Sequence, residues 1–381
     1  MASLSEEEQQ ARETIRYLVA ASRSVPGGAL ASAREDWRAQ LAWWGSQGYH
    51  GVTLPPEWGG QGKSFLVQTM VVEALAEADA NLALLYEVHN TLHLEAVWRY
   101  GDEAQRRRWL PDLLAGRRLG GFAVTEEEAG SDAESLATVA VPEGGGYRLS
   151  GVKRMITGAG WYDQYVVFAR VPEAGITAFV VEADTPGVGF GSPEPMLGLD
   201  STPVADITFE GAWIPEDHRL GELGQGYAIA LDLLDGGRVG IAAQAVGILA
   251  ACLGRSLAFA QQRRQFGRPI ARYQGIQWML AEMATDFAAA RLLTYEAARR
   301  RPEGERQRPL YAMAKWFASR KAVQHALNAI QIHGGRGYLR KTGVEHLLRD
   351  SKVTELYEGT SEILRLVIAS RLLNGYNWDS I

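Results

Sequence analysis

The chain has 381 residues, a formal net charge of −6 and a hydrophobic share of 46%. This length accommodates two or three domains with a sizeable core. The acidic balance argues against a nucleic-acid-binding surface, which normally carries a basic excess. Cys252 is the only cysteine, which excludes an intrachain disulfide and a thiolate metal cluster and fits a reducing cytoplasm.

The N-terminus and the apolar runs predict neither a targeting segment nor a membrane anchor. Residues 1–8 are acidic and lack the apolar core of a signal peptide. No uninterrupted apolar run reaches the length that a bilayer requires. We therefore expect a cytoplasmic protein without a membrane or nucleic-acid partner.

The first third of the chain, residues 1–119, has the periodicity of a helical domain, with apolar positions such as Ile15, Leu18 and Val19 at helical spacing. A turn-rich stretch at 55–64 ends in Gly-Lys-Ser. The first glycine of a phosphate-binding loop would fall on Glu57, and no strand precedes the stretch. We interpret it as a structural turn between helices.

His89 and His93 are four residues apart and could share one face of a helix. The glutamate and the third ligand of a zinc-protease motif are missing. The pattern therefore favours two histidines that line an internal cleft over a metal site.

The periodicity changes at 120, where β-rich runs begin to alternate with glycine and proline turns. Strands are predicted at 147–149, 165–169, 176–181 and 207–209. This pattern predicts a middle domain of antiparallel strands that spans residues 120–225.

Long helical patterns return after 225 and predict a C-terminal bundle over residues 226–381. The predicted helices are 241–261, 274–299, 309–332, 344–352 and 361–373, and the segment 300–308 is predicted to be a mobile loop. No Gly-x-Gly-x-x-Gly motif follows a strand, so the pattern does not predict a nicotinamide-binding Rossmann domain.

Glu358 is the first candidate for a catalytic group. It lies beside Tyr357 and at the glycine break of Gly359, and Thr360 or Ser361 could cap the helix that follows. A glutamate at such a joint can lean into a cleft, where apolar neighbours raise its pKa towards the range of a general base. A surface-loop glutamate before a helix cap has the same local pattern.

Four further stretches carry ligand-binding chemistry, and each has a structural alternative. Residues 124–132 combine hydroxyls with a glycine, and 153–158 offer a second set of hydroxyl and backbone groups. Residues 263–267 place two guanidinium groups beside a ring, and 331–335 add an amide and two glycines. The alternatives are a capped turn, a strand running into a turn, a basic helix end and a helix stop.

Together these stretches resemble the spaced motifs of the acyl-CoA dehydrogenase family over nearly the whole chain. The matching motifs lie at 125–132, 149–157, 235–238, 263–267, 331–335 and 357–361. The resemblance implies an α+β multidomain fold with an N-terminal helical domain, a middle antiparallel β domain and a C-terminal four-helix bundle. It also implies FAD between the last two domains and a homotetramer or homodimer.

The resemblance assigns roles position by position, with Glu358 as the catalytic base. The residues expected to contact the FAD of their own subunit are Val124, Thr125, Thr157 and, at the pyrophosphate, Thr360. Those expected to reach the FAD of a neighbouring subunit are Arg263, Phe266, Gln274, Gln331 and Gly335. Those expected along the substrate are Ser131, Asp235, Arg238, Tyr357 and Gly359.

The reaction implied by the resemblance is α,β-dehydrogenation of a short or branched acyl-CoA to the trans-2-enoyl thioester. Glu358 would remove the α proton while the β hydrogen leaves as hydride to flavin N5. The backbone N–H of Glu358 would help to hold the thioester oxygen. An electron-transferring flavoprotein is the acceptor that the resemblance implies.

Four positions depart from the family pattern: Glu127 replaces a proline, Met155 an aromatic residue, Gly158 an asparagine, and Asp200 begins a segment where an arginine is usual. These departures leave other functions open. One is dehydrogenation of an acyl group on an acyl carrier protein, and another is a flavin oxidase or monooxygenase on the same fold. A flavin-binding protein without turnover is a further alternative.

Overall fold

A computed structural model describes residues 4–25 and 34–375, without the side chains of residues 305 and 306. The predicted domain ends at 1 and 381 lie outside the described residues. The N-terminal part is helical, as predicted. Its helices are α1 (Glu6–Ser22), α2 (Arg34–Ser46), α3 (Phe65–Ala78), α4 (Ala80–Glu87), α5 (Glu95–Tyr100) and α6 (Glu103–Leu114), and a π-helical segment (Val88–Leu94) joins α4 to α5.

Local chemistry explains where two of these helices begin. The Ser5 hydroxyl accepts from the Glu8 N–H, and the Glu8 carboxylate accepts from the Ser5 N–H. Asp102 and Gln105 form the same reciprocal pair at the start of α6. Each pair satisfies two backbone donors that the first helical turn leaves open.

The middle part is one sheet, whose strands run in the order β6-β7-β3-β2-β4-β5-β8, with β1 paired to β4. Its strands are β1 (Gly120–Ala123), β2 (Val139–Glu143), β3 (Gly146–Thr157), β4 (Gln164–Val171), β5 (Gly175–Glu182), β6 (Val188–Phe190), β7 (Val204–Pro215) and β8 (Arg219–Leu220). All four predicted strands are present. Most pairs are antiparallel, as predicted, but β1–β4 and β2–β4 are parallel.

The C-terminal part is a helical bundle, as predicted, in which α7, α8, α9 and α11 pack together. Its elements are α7 (Gly226–Gln262), β9 (Arg264–Gln265), β10 (Arg268–Pro269), α8 (Gln274–Arg299), α9 (Arg308–His333), α10 (Glu345–Lys352) and α11 (Ser361–Leu373). α7 begins fifteen residues before its predicted start, because glycines in its first half resemble a break in the sequence. They are packing positions instead: a Cβ at Gly240 would lie 2.6 Å from the Glu87 side chain of α4.

α7 is also the helix, among the described residues, that is long and apolar enough to cross a membrane. Charged residues at Asp235, Arg238 and Arg255 interrupt it, so the helix contains no uninterrupted apolar run of bilayer length. About two thirds of its most apolar window is buried inside the protein (67%). Its apolar length is thus explained by its place at the centre of the bundle.

His89 and His93 join the N-terminal helices to the sheet. His89 Nδ1 accepts from the Gly120 N–H, so its Nε2 carries the proton that is donated to the Leu113 carbonyl. His93 Nδ1 donates to the Gly121 carbonyl. Burial lowers the pKa of His93 to about 4, and both rings are neutral. The interpretation that they line a cleft is wrong, because both are fully buried in this contact.

The connection between β6 and β7 is tied to α10, the helix that precedes the Glu358 turn. The Leu199 N–H donates to the Asp350 carboxylate at 2.7 Å, and the Arg349 guanidinium pairs with Asp200 at 2.8 Å. Asp200, one of the departures from the family pattern, therefore has a structural partner on α10. The predicted mobile segment at 300–308 is anchored at one end by buried Arg301, which donates to Asp232.

Candidate active site

Glu358 lies in the turn before α11, with its backbone at a φ of 51°. A non-glycine residue in this left-handed region is strained by about 1–3 kcal/mol and needs support from its surroundings. Two contacts supply it. The Thr360 hydroxyl accepts from the Ile363 N–H and caps α11, and Lys315 Nζ of α9 donates to the Gly359 carbonyl at 2.6 Å.

The backbone of α7 passes directly beside the Glu358 carboxyl group. A Cβ at Gly237 would lie 1.9 Å from Glu358 Oε2, so a larger residue there would push the flexible carboxyl group out of this position. Glycine in the interior of a helix costs about 1 kcal/mol relative to alanine. The glycine therefore lowers the stability of α7 at the position where the Glu358 carboxyl group approaches it.

The surroundings bring the pKa of Glu358 close to neutrality. Burial raises the pKa to about 7, against the opposing effects of Lys315, a hydrogen bond with Glu87 and the charge of Arg238. Burial likewise lowers the pKa of Lys315 to about 7. Within the described residues, Glu358 Oε2 is buried and accepts no hydrogen bond from an N–H or an alcohol group. The site can therefore accept a proton near neutral pH.

Arg238 is held beside the same turn by a buried carboxylate. One Arg238 Nη donates to Asp235 at 2.6 Å, and Arg308 Nε donates to the other oxygen of Asp235 at 2.8 Å. Arg238 Nε is buried without a partner among the described residues, and it lies 3.8 Å from where a Cβ of Gly359 would be. Asp235 thus positions Arg238, whereas a direct contact of Asp235 with substrate stays a prediction.

Tyr357 completes this cluster. Its hydroxyl donates to the Gln244 side chain of α7. Burial raises the pKa of this phenol well above its ordinary value, so the ring is neutral. The structure therefore brings together five of the predicted residues around one turn: Asp235, Arg238, Tyr357, Glu358 and Gly359.

The predicted flavin contacts of the sheet lie at the ends of β1 and β3. Val124, Thr125 and Thr157 are half-buried, and neither threonine hydroxyl has a hydrogen-bond partner in the described part of the chain. The Arg154 N–H donates to the Thr125 carbonyl at 2.8 Å and holds the two strand ends together. These free hydroxyls fit a ligand with many polar atoms, such as FAD.

Buried Glu126 and Lys153 fix the loop that carries the predicted substrate contact Ser131. The two side chains pair at 2.7 Å, and Glu126 also accepts from the N–H groups of Ala137 and Thr138. Ser131 itself is exposed. Glu127, which replaces the family's proline, is exposed, and its carboxylate pairs with Arg154 of β3 at 2.8 Å.

Two further departures have different structural outcomes. Met155 lies at a bulge of β3 with a φ of 54°, and 63% of its surface is exposed. Gly158 is required by packing, since a Cβ there would lie 2.3 Å from the ring of Tyr162. The packing of Tyr162 therefore explains the glycine at 158, whereas the Met155 side chain is exposed to solvent.

The residues predicted to serve a neighbouring subunit form a separate group, which we call the outer face: Arg263, Phe266, Gln274, Gln331 and Gly335. The ends of α7 and α9 meet there, where Phe259 stacks on His333 at 4.2 Å. Phe266 is 95% exposed, at a φ of 48° in the β9–β10 turn. No side-chain hydrogen bond of the outer face is seen within residues 4–25 and 34–375.

Two residues near Glu358 were missed in the sequence, Glu87 of α4 and Lys315 of α9. Both are fully buried. Each interrupts an apolar helical run, and a buried charge in such a run usually has a partner or a function. That signal could have identified them as candidates, although not their proximity to Glu358.

Comparison with known proteins agrees with this geometry. Models of three acyl-CoA dehydrogenase domains match the chain: the N-terminal domain at residues 5–117, the middle domain at 121–212 and the C-terminal domain at 224–373. The chain belongs to the acyl-CoA dehydrogenase family. As a member, it is a flavin-dependent oxidoreductase, and its recognition from spaced motifs is confirmed.

The similar proteins include an acyl-CoA dehydrogenase of Bacillus subtilis, 43% identical over 87% of this chain and 88% of the relative. A 3-(aryl)acrylate reductase of Clostridium sporogenes is 40% identical over 86% and 88%. The solved structure of butyryl-CoA dehydrogenase from Megasphaera elsdenii has a TM-score of 0.91 at 34% identity and covers 98% of this chain and 100% of its own. Relatives specific for short chains support the predicted short-chain branch of the acyl-CoA dehydrogenases.

Proposed function

We propose that this acyl-CoA dehydrogenase converts a short or branched acyl-CoA to its trans-2-enoyl thioester, with FAD as its flavin and Glu358 as the catalytic base. The observation that carries the proposal is the Glu358 carboxyl group, which is pressed against Gly237, with a pKa raised to about 7. A base with this pKa is half ionised at neutral pH and can both take and hold a proton.

The α proton of a thioester becomes acidic only if charge on the thioester oxygen is stabilised. In this proposal, the backbone N–H of Glu358 serves that oxygen. Lys315 fixes the backbone orientation through the Gly359 carbonyl, and Arg238 adds positive charge beside the turn. Tyr357 and Gly359 exclude water around the acyl group, and Ser131 and Arg238 lie along the substrate.

Bound FAD would supply the acceptor for the two electrons of the oxidation. The free hydroxyls of Thr125 and Thr157, together with Val124 and Thr360, would hold it. The outer face would serve the FAD of a second copy of the chain, which makes the enzyme a homotetramer or homodimer. Its exposed and unpartnered side chains support this assignment.

We further propose a cytoplasmic enzyme that passes its electrons to an electron-transferring flavoprotein. The domain boundaries that we assign are 119/120 and 225/226. They fall in the connections from α6 to β1 and from β8 to α7.

One observation favours a second chemistry. Met155 is exposed at the position where the family usually has an aromatic residue, and it leaves that side of the proposed flavin site more open. An oxidase or monooxygenase would use such access for oxygen. A substrate carried on an acyl carrier protein instead of CoA would use the same base.

The test is an anaerobic absorbance titration of the purified protein with butyryl-CoA, isovaleryl-CoA and a longer acyl-CoA. Rapid bleaching of the visible flavin band is the expected result, and its rates rank the chain lengths. A yellow protein that none of the three bleaches would redirect the search to carrier-bound substrates. Reoxidation by air as fast as by an electron-transferring flavoprotein would establish the oxidase alternative.

A further inference from the structure

Glu87, the last residue of α4, is a second carboxyl group in the site. Its side chain is 0% exposed. Within the described residues, it has no salt bridge, and neither oxygen accepts a hydrogen bond from an N–H or an alcohol group. An ionised carboxylate without a partner is among the costliest groups to bury. The fold must therefore lower that cost in another way.

The glycines of α7 place Glu87 beside Glu358. A Cβ at Gly240 would lie 2.6 Å from Glu87 Oε1, and a Cβ at Gly237 would lie 1.9 Å from Glu358 Oε2. Positions three apart are on the same face of a helix, so both carboxyl groups press against one stripe of α7. They are within hydrogen-bonding reach of each other. Two ionised carboxylates are acceptors only, whereas a single proton makes an O–H···O bond possible.

The surroundings decide which of the two carboxyl groups holds that proton. The cations Lys315 and Arg238 act on Glu358 and favour its ionised form. The charged group that acts on Glu87 is Glu358, and the hydroxyl of Thr91 has a weaker, opposing effect on its pKa. Two phenols, those of Tyr162 and Tyr357, also face it and are neutral. Burial and the charge of Glu358 raise the pKa of Glu87 well above its ordinary value.

We propose that Glu87 is a neutral carboxylic acid that donates a hydrogen bond to the Glu358 carboxylate and so holds this base in its reactive orientation. Glu87 is thus a positioning residue, and the proposal rests on the proposed function only where it names Glu358 as the base. This arrangement requires no additional proton donor or acceptor, because the proton of Glu87 stays on Glu87 throughout the reaction.

Two substitutions separate hydrogen bonding from space filling. Glu87→Gln is neutral and keeps an N–H donor, whereas Glu87→Leu keeps the volume and removes the donor. A hydrogen bond to the ionised form lowers the pKa of the base, so its loss in Glu87→Leu should move the acid limb of the kcat/KM profile up by about one pH unit. Glu87→Gln should stay within roughly half a unit of wild type. Glu95→Gln is the matched control, a carboxyl group of α5 that binds Thr53, and it should leave the profile unchanged.

A second measurement does not depend on turnover. In protein labelled with ¹³C at the glutamate carboxyl groups, Glu87→Gln and Glu358→Gln identify the two resonances. Glu87 should remain protonated from pH 5 to 8 while Glu358 titrates near neutrality. A Glu87 resonance that is ionised at pH 7, or identical pH profiles for the Gln and Leu variants, would overturn the proposal. If no acyl thioester bleached the wild type, the dehydrogenase function would fail, yet this titration would still locate the proton.

Discussion

The residues around Glu358 and the outer face both involve α7 and α9, but the first group is buried and the second is exposed. Around Glu358, the polar groups meet inside the protein, where Lys315, Arg238 and the glycines of α7 fix them. At the outer face, Phe266 of the β9–β10 turn and Gln331 near the end of α9 are exposed to solvent. One chain thus brings the polar groups around Glu358 together inside the protein, whereas the outer face leaves an aromatic ring and polar side chains exposed.

The largest expected effect is at Glu358 itself. Glu358→Gln keeps the shape of the side chain but cannot take a proton, so flavin reduction by acyl-CoA should slow by at least about 10³-fold. The variant should remain yellow and bind substrate. Stopped-flow absorbance under anaerobic conditions measures the rate. A variant that reduced its flavin at the wild-type rate would remove Glu358 from the mechanism.

The space beside Glu358 is tested at Gly237. The added Cβ of Gly237→Ala must displace the carboxyl group, and a misplacement of about 1 Å costs on the order of 10²-fold in rate. Gly254→Ala is the matched control in the same helix, because its Cβ would meet nothing within 4 Å. The control should keep full activity and gain up to about 1 kcal/mol of stability from helix propensity. Equal rates in the two variants would contradict the close approach of α7.

Lys315 contributes both a positive charge near Glu358 and a hydrogen bond to the backbone of the same turn. Lys315→Met removes the donor to the Gly359 carbonyl and the positive charge that favours ionised Glu358. The pKa of Glu358 should therefore rise, and the rate should fall about tenfold at pH 7 but less at pH 9. Lys321→Met, also in α9 but paired with Asp286, is the control. A loss independent of pH would mean that Lys315 only supports the fold.

The smallest effect on the protomer is expected at the outer face. Phe266→Ala removes an exposed ring, so the free energy of unfolding of the protomer should change by no more than about 0.5 kcal/mol. FAD retention and the fraction of assembled oligomer should fall together, as measured by absorbance and light scattering. Tyr17→Ala, an equally simple loss of an exposed ring on α1, should change neither. Unchanged FAD retention in Phe266→Ala would separate the outer face from the cofactor.

The sequence was sufficient for the overall fold and for the turn that carries Glu358. Apolar periodicity placed α8 and α11, and spaced motifs predicted Glu358 and Arg238 as site residues. It was insufficient where a contact joins distant segments. Glu87 reaches Glu358 only because Gly237 and Gly240 let both carboxyl groups approach α7, and no local pattern reports that meeting. The parallel pairing of β1 with β4 likewise depends on the register of distant strands.

The most direct test of the account is the pH dependence of flavin reduction by butyryl-CoA in the wild-type protein, followed anaerobically from pH 5 to 9. Glu358 must be ionised to act, and its pKa is raised to about 7. The rate should therefore rise with pH, pass its midpoint near neutrality and then level off. A rate that is flat across this range would contradict the assignment of Glu358 as a base whose pKa is raised by its buried surroundings.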